Sequence, residues 1–523
     1  MYWADKIAKE IIESKKYLPY WIDDMKTPSG RVHIGSVRAV LTHELIYRSL
    51  KDQKQKVNFS YVLEDHDPMD GLPIYVDQEE YRKHLGKPLF MIPSPEPGFD
   101  SYGKRWGEEY IEIFNKIGVY PKIIWGSELY LTGRMNEMIR LCLDKADEIR
   151  KIYKTLYKKE RARDWFPFSA KCEKCGKIST TVVNGWDGKK ITYECRRIGL
   201  DWTKGCGNKG KVSPYSTKDN YAGKLPWKVE WPCKWKVIGV TVEGAGKDHM
   251  SAGGSHDFAK LMCKKVLDYP IPYHFSHEFF LVGGKKMSSS KGLGSSALEV
   301  SEIIPPYLMR FMIARVKVSK QISFDPFGMT IPDLFDDYDD TARVYWGSGN
   351  KEDLGRIFEV SQVGNKIPKK HFFPRFRDIA NYTQLPNIKL EERFEQIKGS
   401  KLTDSERDIL YERMGYAHIW LGKYAPEEYK YQISAQSLGE ISLSKEQWVF
   451  LNELAGVWQQ VNDPEKLHGG IFKLIEKMNI NTLNAFKALY TVILDKTYGP
   501  RAGWLLKKFP KETIIKRLTL NKK

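Results

Sequence analysis

The stretch from Pro28 to Asp67 constrains the fold more tightly than any other part of the chain. A Pro28-Ser29-Gly30 loop gives way to apolar positions at helical spacing: Val37, Val40, Leu41, Leu45 and Leu50. Val57, Phe59, Tyr61 and Leu63 then alternate, as a strand does. That strand runs into an acidic cluster, Glu64-Asp65-His66-Asp67. Loop, helix, strand and acidic turn in this order predict an α/β unit built on a parallel sheet.

Around this unit the chain changes character several times. Residues 1–15 read as a helix, with Trp3, Ile7 and Ile11 spaced by four. Residues 76–100 are Pro-rich, with Pro88, Pro93, Pro95 and Pro97. Residues 105–118 and 133–160 read as helical, and a basic run from Lys151 to Arg163 forms either a solvated face or an RNA contact. Residues 165–212 hold four cysteines and little apolar periodicity, which suits a small insertion with its own staple. Val237–Val242 and Glu278–Val282 read as further strands of the main sheet, leading into Gly244-Ala245-Gly246 and Gly283-Gly284. From about residue 300 the pattern is helical, with amphipathic stretches at 404–423, 445–460 and 483–495. The C-terminal stretch Leu506–Lys523 is basic and reads as a frayed end or an RNA contact.

Lys and Arg total 84 against 66 Asp and Glu, a net charge of +18 that favours a polyanionic partner. No apolar run behaves as a signal peptide or reaches the ~20 residues of a membrane span, so a cytoplasmic protein with no membrane partner is expected. Its seven cysteines should then be reduced unless they bind metal.

Two motifs carry nucleotide chemistry. Pro28-Ser29-Gly30-Arg31-Val32-His33-Ile34-Gly35-Ser36 lies where a loop becomes a helix. Gly30 and Gly35 permit close backbone approach to phosphate, and a helix N-terminus favours negative charge. His33 can donate to an α-phosphate as charge builds in the transition state. About 250 residues later, Gly284-Lys285-Lys286-Met287-Ser288-Ser289-Ser290-Lys291-Gly292 combines cations, hydroxyl donors and flanking glycines. Lys286 can neutralise a leaving pyrophosphate. Ser288, Ser289 and Ser290 can donate to its oxygens, and the glycines let such a loop close.

These motifs resemble the HIGH and KMSKS signatures of class I aminoacyl-tRNA synthetases, in the right order. Ser36 replaces the second histidine of the first signature. Gly246-Lys247-Asp248-His249 is similar to the stretch that binds the adenosine ribose in that class, and Gly253-Gly254 follow it. The resemblance implies ATP with Mg²⁺ as co-substrate. It implies ATP-binding positions at Pro28, Gly30, His33, Gly35, Gly246, Asp248, Gly254, Lys286, Met287 and Ser288.

The resemblance narrows to the class I lysyl-tRNA synthetases found mainly in archaea, across most of residues 1–345. It rests on Trp3-Ala4-Asp5, Thr27-Pro28-Ser29-Gly30, Trp165-Phe166-Pro167-Phe168, Leu225–Trp231, Gly246–Asp257 and Ile322–Pro326. It implies lysine and tRNA(Lys) as substrates and no DNA partner. Thr27, Trp227 and His249 match the family's lysine-contacting positions, and an aromatic face can attract an ammonium group. Asp65 and Asp67, at a strand end, are candidates for reading that ammonium from the residues alone. Met25 stands where relatives usually carry glycine, and its larger side chain reshapes the expected pocket.

Cys172-x-x-Cys175 is followed by Cys195 and Cys206, a set that suits one closed structural Zn²⁺ site. Cys142, Cys233 and Cys263 lie in apolar contexts and read as buried thiols. Many relatives carry a second metal cluster in the Pro-rich insertion. Ser94–Arg105 has neither Cys nor His, so a second metal is not expected here.

The expected architecture is therefore a Rossmann-type parallel-sheet catalytic domain in two halves, 1–75 and 213–300. Residues 76–164 form an insertion and helical segment, and 165–212 the zinc-binding insertion. Residues 301–345 form a stem-contact junction, and 346–523 an all-α anticodon-binding region. The expected reaction makes an aminoacyl-adenylate and then transfers the acyl group to tRNA; the resemblance implies that the first step depends on bound tRNA. A glutamyl- or glutaminyl-type class I synthetase and a zinc-containing RNA-binding protein with a degenerate nucleotide site are the competing readings.

Overall fold

The computed structural model describes residues 1–283, 296–347, 352–364, 366–385 and 388–519. Two compact units share the chain: Met1–Asp325 with Thr341–Ile367, and Pro326–Asp340 with Pro368–Lys523.

The first unit is built on a five-stranded parallel sheet. Across it the strands run Tyr273–His277, Val242–Gly246, Tyr20–Lys26, Val57–Leu63 and Lys122–Trp125. The chain starts centrally, builds outward through two strands, then returns to the other side of the first. That reversal makes a crevice at the C-terminal ends of Tyr20–Lys26 and Val242–Gly246, where open α/β sheets bind ligands. Most residues of the first two strands are buried, including Ile22, Asp23, Asp24 and the run Phe59–Leu63, as in a parallel sheet covered by helices on both faces.

Helix Ile34–Asp52 makes the first crossover and is buried almost all round, including Arg38, His43 and Glu44. Burial of these polar groups is tolerable because each has partners. Arg38 donates to the carbonyls of Phe279 (2.8 Å) and Val318 (3.3 Å). His43 Nδ1 lies 2.8 Å from the Ala39 carbonyl, and its Nε2 accepts from the Gly244 amide at 2.9 Å.

Two expected strands are shifted. Most of Val237–Val242 belongs to the end of helix Trp227–Ile238, to the left-handed Gly239 that stops it (φ 91°), and to the link beyond. The sheet strand starts only at Val242. A glycine takes that conformation without a Cβ penalty, so it ends the helix where alternation suggested a strand. The signal at Glu278–Val282 divides similarly: the sheet strand lies earlier, at Tyr273–His277, and Phe280–Val282 pairs with Ile322–Phe324 in a separate two-stranded sheet.

The insertion forms an antiparallel sheet of Thr181–Trp186, Ile191–Cys195 and Lys209–Val212. The boundary expected at 345/346 is also corrected. Residues Thr341–Ile367 belong to the first unit, because buried Arg310 donates to Val360 and Ile117 carbonyls and pairs with Glu44 at 2.8 Å. Arg356 binds Asp5 and Asp52 in the same way.

The second unit is helical. Helices Lys445–Gln460, Pro464–Met478, Thr482–Leu494, Ala502–Lys508 and Lys511–Leu518 bury Phe450, Leu454, Trp458, Ile471, Leu489, Ile493, Leu505 and Ile514 together. Trp420 is fully buried, its indole donating to the Gly328 carbonyl at 3.0 Å. The basic C-terminal stretch is neither frayed nor wholly free for RNA over its described part. Lys507 lies 4.0 Å from the Trp458 ring centre, and Arg517 donates to the Val492 and Gln436 carbonyls. No helix among the described residues is long and apolar enough to cross a membrane.

Candidate active site

A cavity of about 550 Å³ opens at the crevice between Tyr20–Lys26 and Val242–Gly246. From the sequence candidates it gathers Met25, Thr27, His33, Gly35, Ser36, Asp67, Trp227, Gly246, Asp248 and His249. Pro28, Gly30, Asp65 and Gly254 are not among its lining residues.

His33 caps the helix that starts at Ile34, its Nδ1 accepting from the Ser36 amide at 3.2 Å. The imidazole is thereby fixed at a helix N-terminus, where the dipole favours an anion. Ser36 is buried, its hydroxyl 3.4 Å from that of Tyr110. The preceding loop is already anchored: Arg31 N–H donates to Tyr75 and Val32 N–H to Glu109.

On the other wall, Trp227 stands edge-on to His249, with ring centres 5.5 Å apart and planes at 73°. A Cβ at Gly246 would lie 2.8 Å from Asp248 Oδ1, so a side chain there would displace the Asp248 carboxylate. Gly254 has a structural reason too: a Cβ would lie 2.5 Å from the His249 carbonyl oxygen.

Lys286, Met287, Ser288, Ser289 and Ser290 lie outside the described residues. Their described flanks converge on the first motif. Ser296 forms a β-bridge with His33, and Ala297 N–H donates to the Val32 carbonyl at 2.7 Å. Ser296 then opens helix Ala297–Ile303 with a capping box to Glu299.

Beneath the cavity lies a buried ionic network that sequence reasoning missed. Glu230 pairs with Lys224 at 2.8 Å and Lys234 at 3.3 Å, and accepts from His66 at 2.8 Å and from Tyr130. Lys234 also pairs with Glu64, and Lys224 with Asp67. Thr27 donates to Asp67 at 2.5 Å, which ties the expected amino-acid site to this network. Burial would raise both Asp67 and Glu230, but the neighbouring ammonium groups hold each below its ordinary range. Burial raises Glu64 to about 7 and drives His66 down to about 4. The carboxylates of Glu64, Asp67 and Glu230 with His66 are close enough to hold a cation, but the protein's own Lys224 and Lys234 already supply the positive charge. Glu230 and Lys234 sit at i, i+4 on the helix that bears Trp227 and Trp231, a spacing visible in the sequence.

Asp65 points elsewhere. Its carboxylate accepts from the Ser127 amide (2.8 Å) and hydroxyl (2.6 Å), holding the first turn of helix Gly126–Leu131. As a reader of a ligand ammonium it is corrected by that position. Other carboxylates reach the cavity wall instead: Asp24, Glu64, Glu230, Glu243 and Glu278. Glu243 accepts from the Trp231 indole at 2.9 Å and from that of Trp235, and burial raises it to about 8.

In the insertion, Cys172, Cys175, Cys195 and Cys206 place their sulfurs within 4.8 Å of one another. Cys172–Cys206 and Cys175–Cys195 are separated by 3.5 and 3.7 Å. Tetrahedral Zn–S bonds of about 2.3 Å give sulfur–sulfur edges of about 3.8 Å, so four thiolates fit this arrangement. Cys142, Cys233 and Cys263 are buried.

The family model described as tRNA synthetases class I (K) matches residues 1–364. A lysine–tRNA ligase of Archaeoglobus fulgidus is 32% identical over 521 residues, covering 99% of each chain. One from Methanocaldococcus jannaschii is 32% identical over 548 residues, covering 99% of this chain and 100% of its own. Among solved structures, a glutamate tRNA ligase from Elizabethkingia meningosepticum aligns over 95% of this chain and 98% of its own, at 14% identity and a TM-score of 0.41. A parallel sheet with its crevice at the reversal point, a histidine-capped helix on one wall, and a match through residue 364 lead to one assignment: this chain belongs to the class I (K) tRNA synthetase family.

Proposed function

We propose that this protein is a lysyl-tRNA synthetase, an aminoacyl-tRNA ligase that activates lysine with ATP and transfers it to tRNA(Lys). The observation that carries the choice of lysine is the sign of the cavity. Asp24, Glu64, Asp67, Glu230, Glu243, Asp248 and Glu278 line it, against Lys26 and Lys234 in the lining and Lys224, which pairs with Asp67 and Glu230. Of its histidines, His277 adds no positive charge at neutral pH, because burial drives it down to about 4. A glutamate pocket needs the reverse balance, because desolvated like charges repel. Met25, Trp227, Phe279 and Phe280 supply apolar wall for a methylene stem. The Met25 side chain shares its strand face with Trp21, and both pack towards the cluster that includes Trp231 and Trp235.

In this reading the lysine carboxylate attacks the ATP α-phosphorus in line, giving lysyl-adenylate and pyrophosphate. The terminal ribose of tRNA then takes the acyl group and AMP leaves. Catalysis is positioning plus charge stabilisation. His33 donates to the α-phosphate, Gly35 lets the phosphate approach the helix N-terminus, and Ser36 holds that turn against Tyr110. Lys286 and Ser288–Ser290 take the charge of the leaving pyrophosphate, while Gly246 and Asp248 receive the ribose. Thr27, Trp227 and His249 hold the amino acid. Mg²⁺ bound with ATP would supply further charge neutralisation. Cys172, Cys175, Cys195 and Cys206 hold one structural Zn²⁺ that staples the insertion, and the helical unit reads the anticodon.

The test is ATP–pyrophosphate exchange with lysine, glutamate and glutamine, each with and without total tRNA. Lysine-dependent exchange is expected and glutamate-dependent exchange is not. Absence of lysine-dependent exchange in both conditions would sink the proposal and leave an RNA-binding role.

A further inference from the structure

We infer that Asp67 is a positioning residue for the amino-acid substrate. Anchored by Lys224, its carboxylate turns the Thr27 hydroxyl so that Thr27 offers the substrate's α-ammonium an acceptor. This deepens the lysine reading and rests on its placement of the amino acid at Thr27.

Thr27 follows strand Tyr20–Lys26, and Asp67 lies in the turn after the neighbouring strand Val57–Leu63. Both line the cavity described above. Both also line an adjoining cavity of about 490 Å³, together with His33 and Trp227. The pair therefore stands on wall that the two spaces share.

Thr27 Oγ1 donates to Asp67 Oδ2 at 2.5 Å. That bond has only one direction. Burial would raise the Asp67 carboxyl, but the Lys224 ammonium holds it below its ordinary range, so at neutral pH it is ionised and can only accept. A hydroxyl has one hydrogen and two lone pairs. With the hydrogen committed to Asp67, Thr27 has only lone pairs to offer the cavity. An ammonium group, all donor, fits them, whereas a carboxylate, all acceptor, does not.

Asp67 is itself held in place. Its Oδ1 binds Lys224, which also pairs with Glu230 at 2.8 Å and has a side chain only 5% exposed. Its amide donates to the Glu64 carbonyl at 3.2 Å, and its carbonyl accepts from the Leu89 amide at 2.9 Å. Both carboxylate oxygens thus have partners within the protein, and Asp67 acts through Thr27. Its charge matters because an ionised acceptor holds a hydroxyl about twice as strongly as a neutral one.

The loop between Thr27 and His33 selects the α-ammonium. These two residues flank residues 28–32 and line the same two cavities. In the lysine reading His33 meets the α-phosphate, where the substrate carboxylate must attack. The α-ammonium sits one carbon from that carboxylate, whereas the ε-ammonium is at the far end of a flexible four-carbon stem.

The experiment uses the full-length enzyme and pyrophosphate exchange in the presence of tRNA. It measures KM for lysine and for ATP, and Ki against lysine for two analogues. One lacks the α-amino group, and the other carries a hydroxyl in place of the ε-amine. Thr27→Val should raise KM for lysine by about 10-fold or more, the effect of losing a hydrogen bond to a charged group, and leave KM for ATP unchanged. Ki for the analogue without the α-amine should hardly move, so lysine loses its advantage over it. Thr27→Ser, which keeps the hydroxyl, should behave as wild type. Asp67→Asn should reproduce the Thr27→Val pattern. Added to Thr27→Val, it should change KM for lysine by less than about threefold, since it acts through that hydroxyl. Asp67→Asn combined with Lys224→Met removes both charges and gives the same reading if Asp67→Asn alone does not fold. An active Asp67→Asn enzyme, alone or with Lys224→Met, that keeps the wild-type preference for lysine over the analogue without the α-amine overturns the role of Asp67. So do additive losses in the Thr27→Val background. Both outcomes leave the lysine reading standing. Lost preference over the ε-hydroxy analogue alone overturns the choice of the α-ammonium. Wild-type enzyme that activates no lysine overturns both the inference and the reading beneath it.

Discussion

Carboxylates a few positions apart in this chain do different work because they leave their strands in different directions. Asp23 accepts from the Ser60 hydroxyl, and Asp24 faces the helix that carries His43. Asp65 holds a helix turn, and Asp67 binds a lysine. One residue-scale outcome concerns Lys286. Lys286→Ala should lower the exchange rate by about 100-fold or more, the effect of removing one charge-stabilising group, with tRNA binding largely intact in a filter assay. Equal loss of both would point to misfolding instead of chemistry.

Helix Trp227–Ile238 shows what a sequence reveals about an element and what it hides. The Trp227–Trp231 stretch carries the family resemblance, and Pro226 and Gly239 bound a helix that alternation alone turned into a strand at its end. The ionic network was not legible, because His66 meets Glu230 from 164 positions away and Glu64 meets Lys234 from 170 positions away along the chain. Only the fold brings them together. Removing one member strands the others' charges in a dry place, so Lys234→Met should cost about 3–5 kcal/mol in urea unfolding. A loss under 1 kcal/mol would mean that the pair is wetter than its burial implies. The cysteine insertion is the opposite case, since spacing alone singled out its four thiols. Its short strands build little core, so the metal should decide whether they persist. Purified protein should carry about one zinc per chain. Cys172→Ser should lose it, with hydrogen exchange rising in 165–212 and the five-stranded sheet unaffected. Zinc retained at full occupancy in that variant would remove Cys172 from the ligand set.

Across the whole molecule, the parallel sheet was legible from one loop–helix–strand run, whereas the division into units was not. Nothing local in the sequence marks Pro326–Asp340 as packing with Pro368–Lys523. Those assignments depend on single long-range anchors, such as the buried Arg413–Asp339 pair in one unit and Arg310–Glu44 in the other. The charge of the chain is a global quantity and has a global consequence. A net charge of +18 coexists with a cavity whose walls are mainly acidic, so the positive excess lies on other surfaces. Part of the basic stretch near the C-terminus is spent on packing, through Lys507 and Arg517, which leaves the remaining cations to meet phosphate. Binding that releases counterions weakens linearly in log–log terms as salt rises, with a slope set by the phosphates neutralised. For tRNA a slope of about −4 or steeper is expected, with affinity falling more than 100-fold between 50 and 200 mM salt. The KM for lysine should change by less than about threefold over that range once tRNA is saturating, because its ammonium meets a carboxylate shielded from bulk ions. If both constants move together, the acidic cavity is open to solvent and its charge no longer explains the choice of lysine.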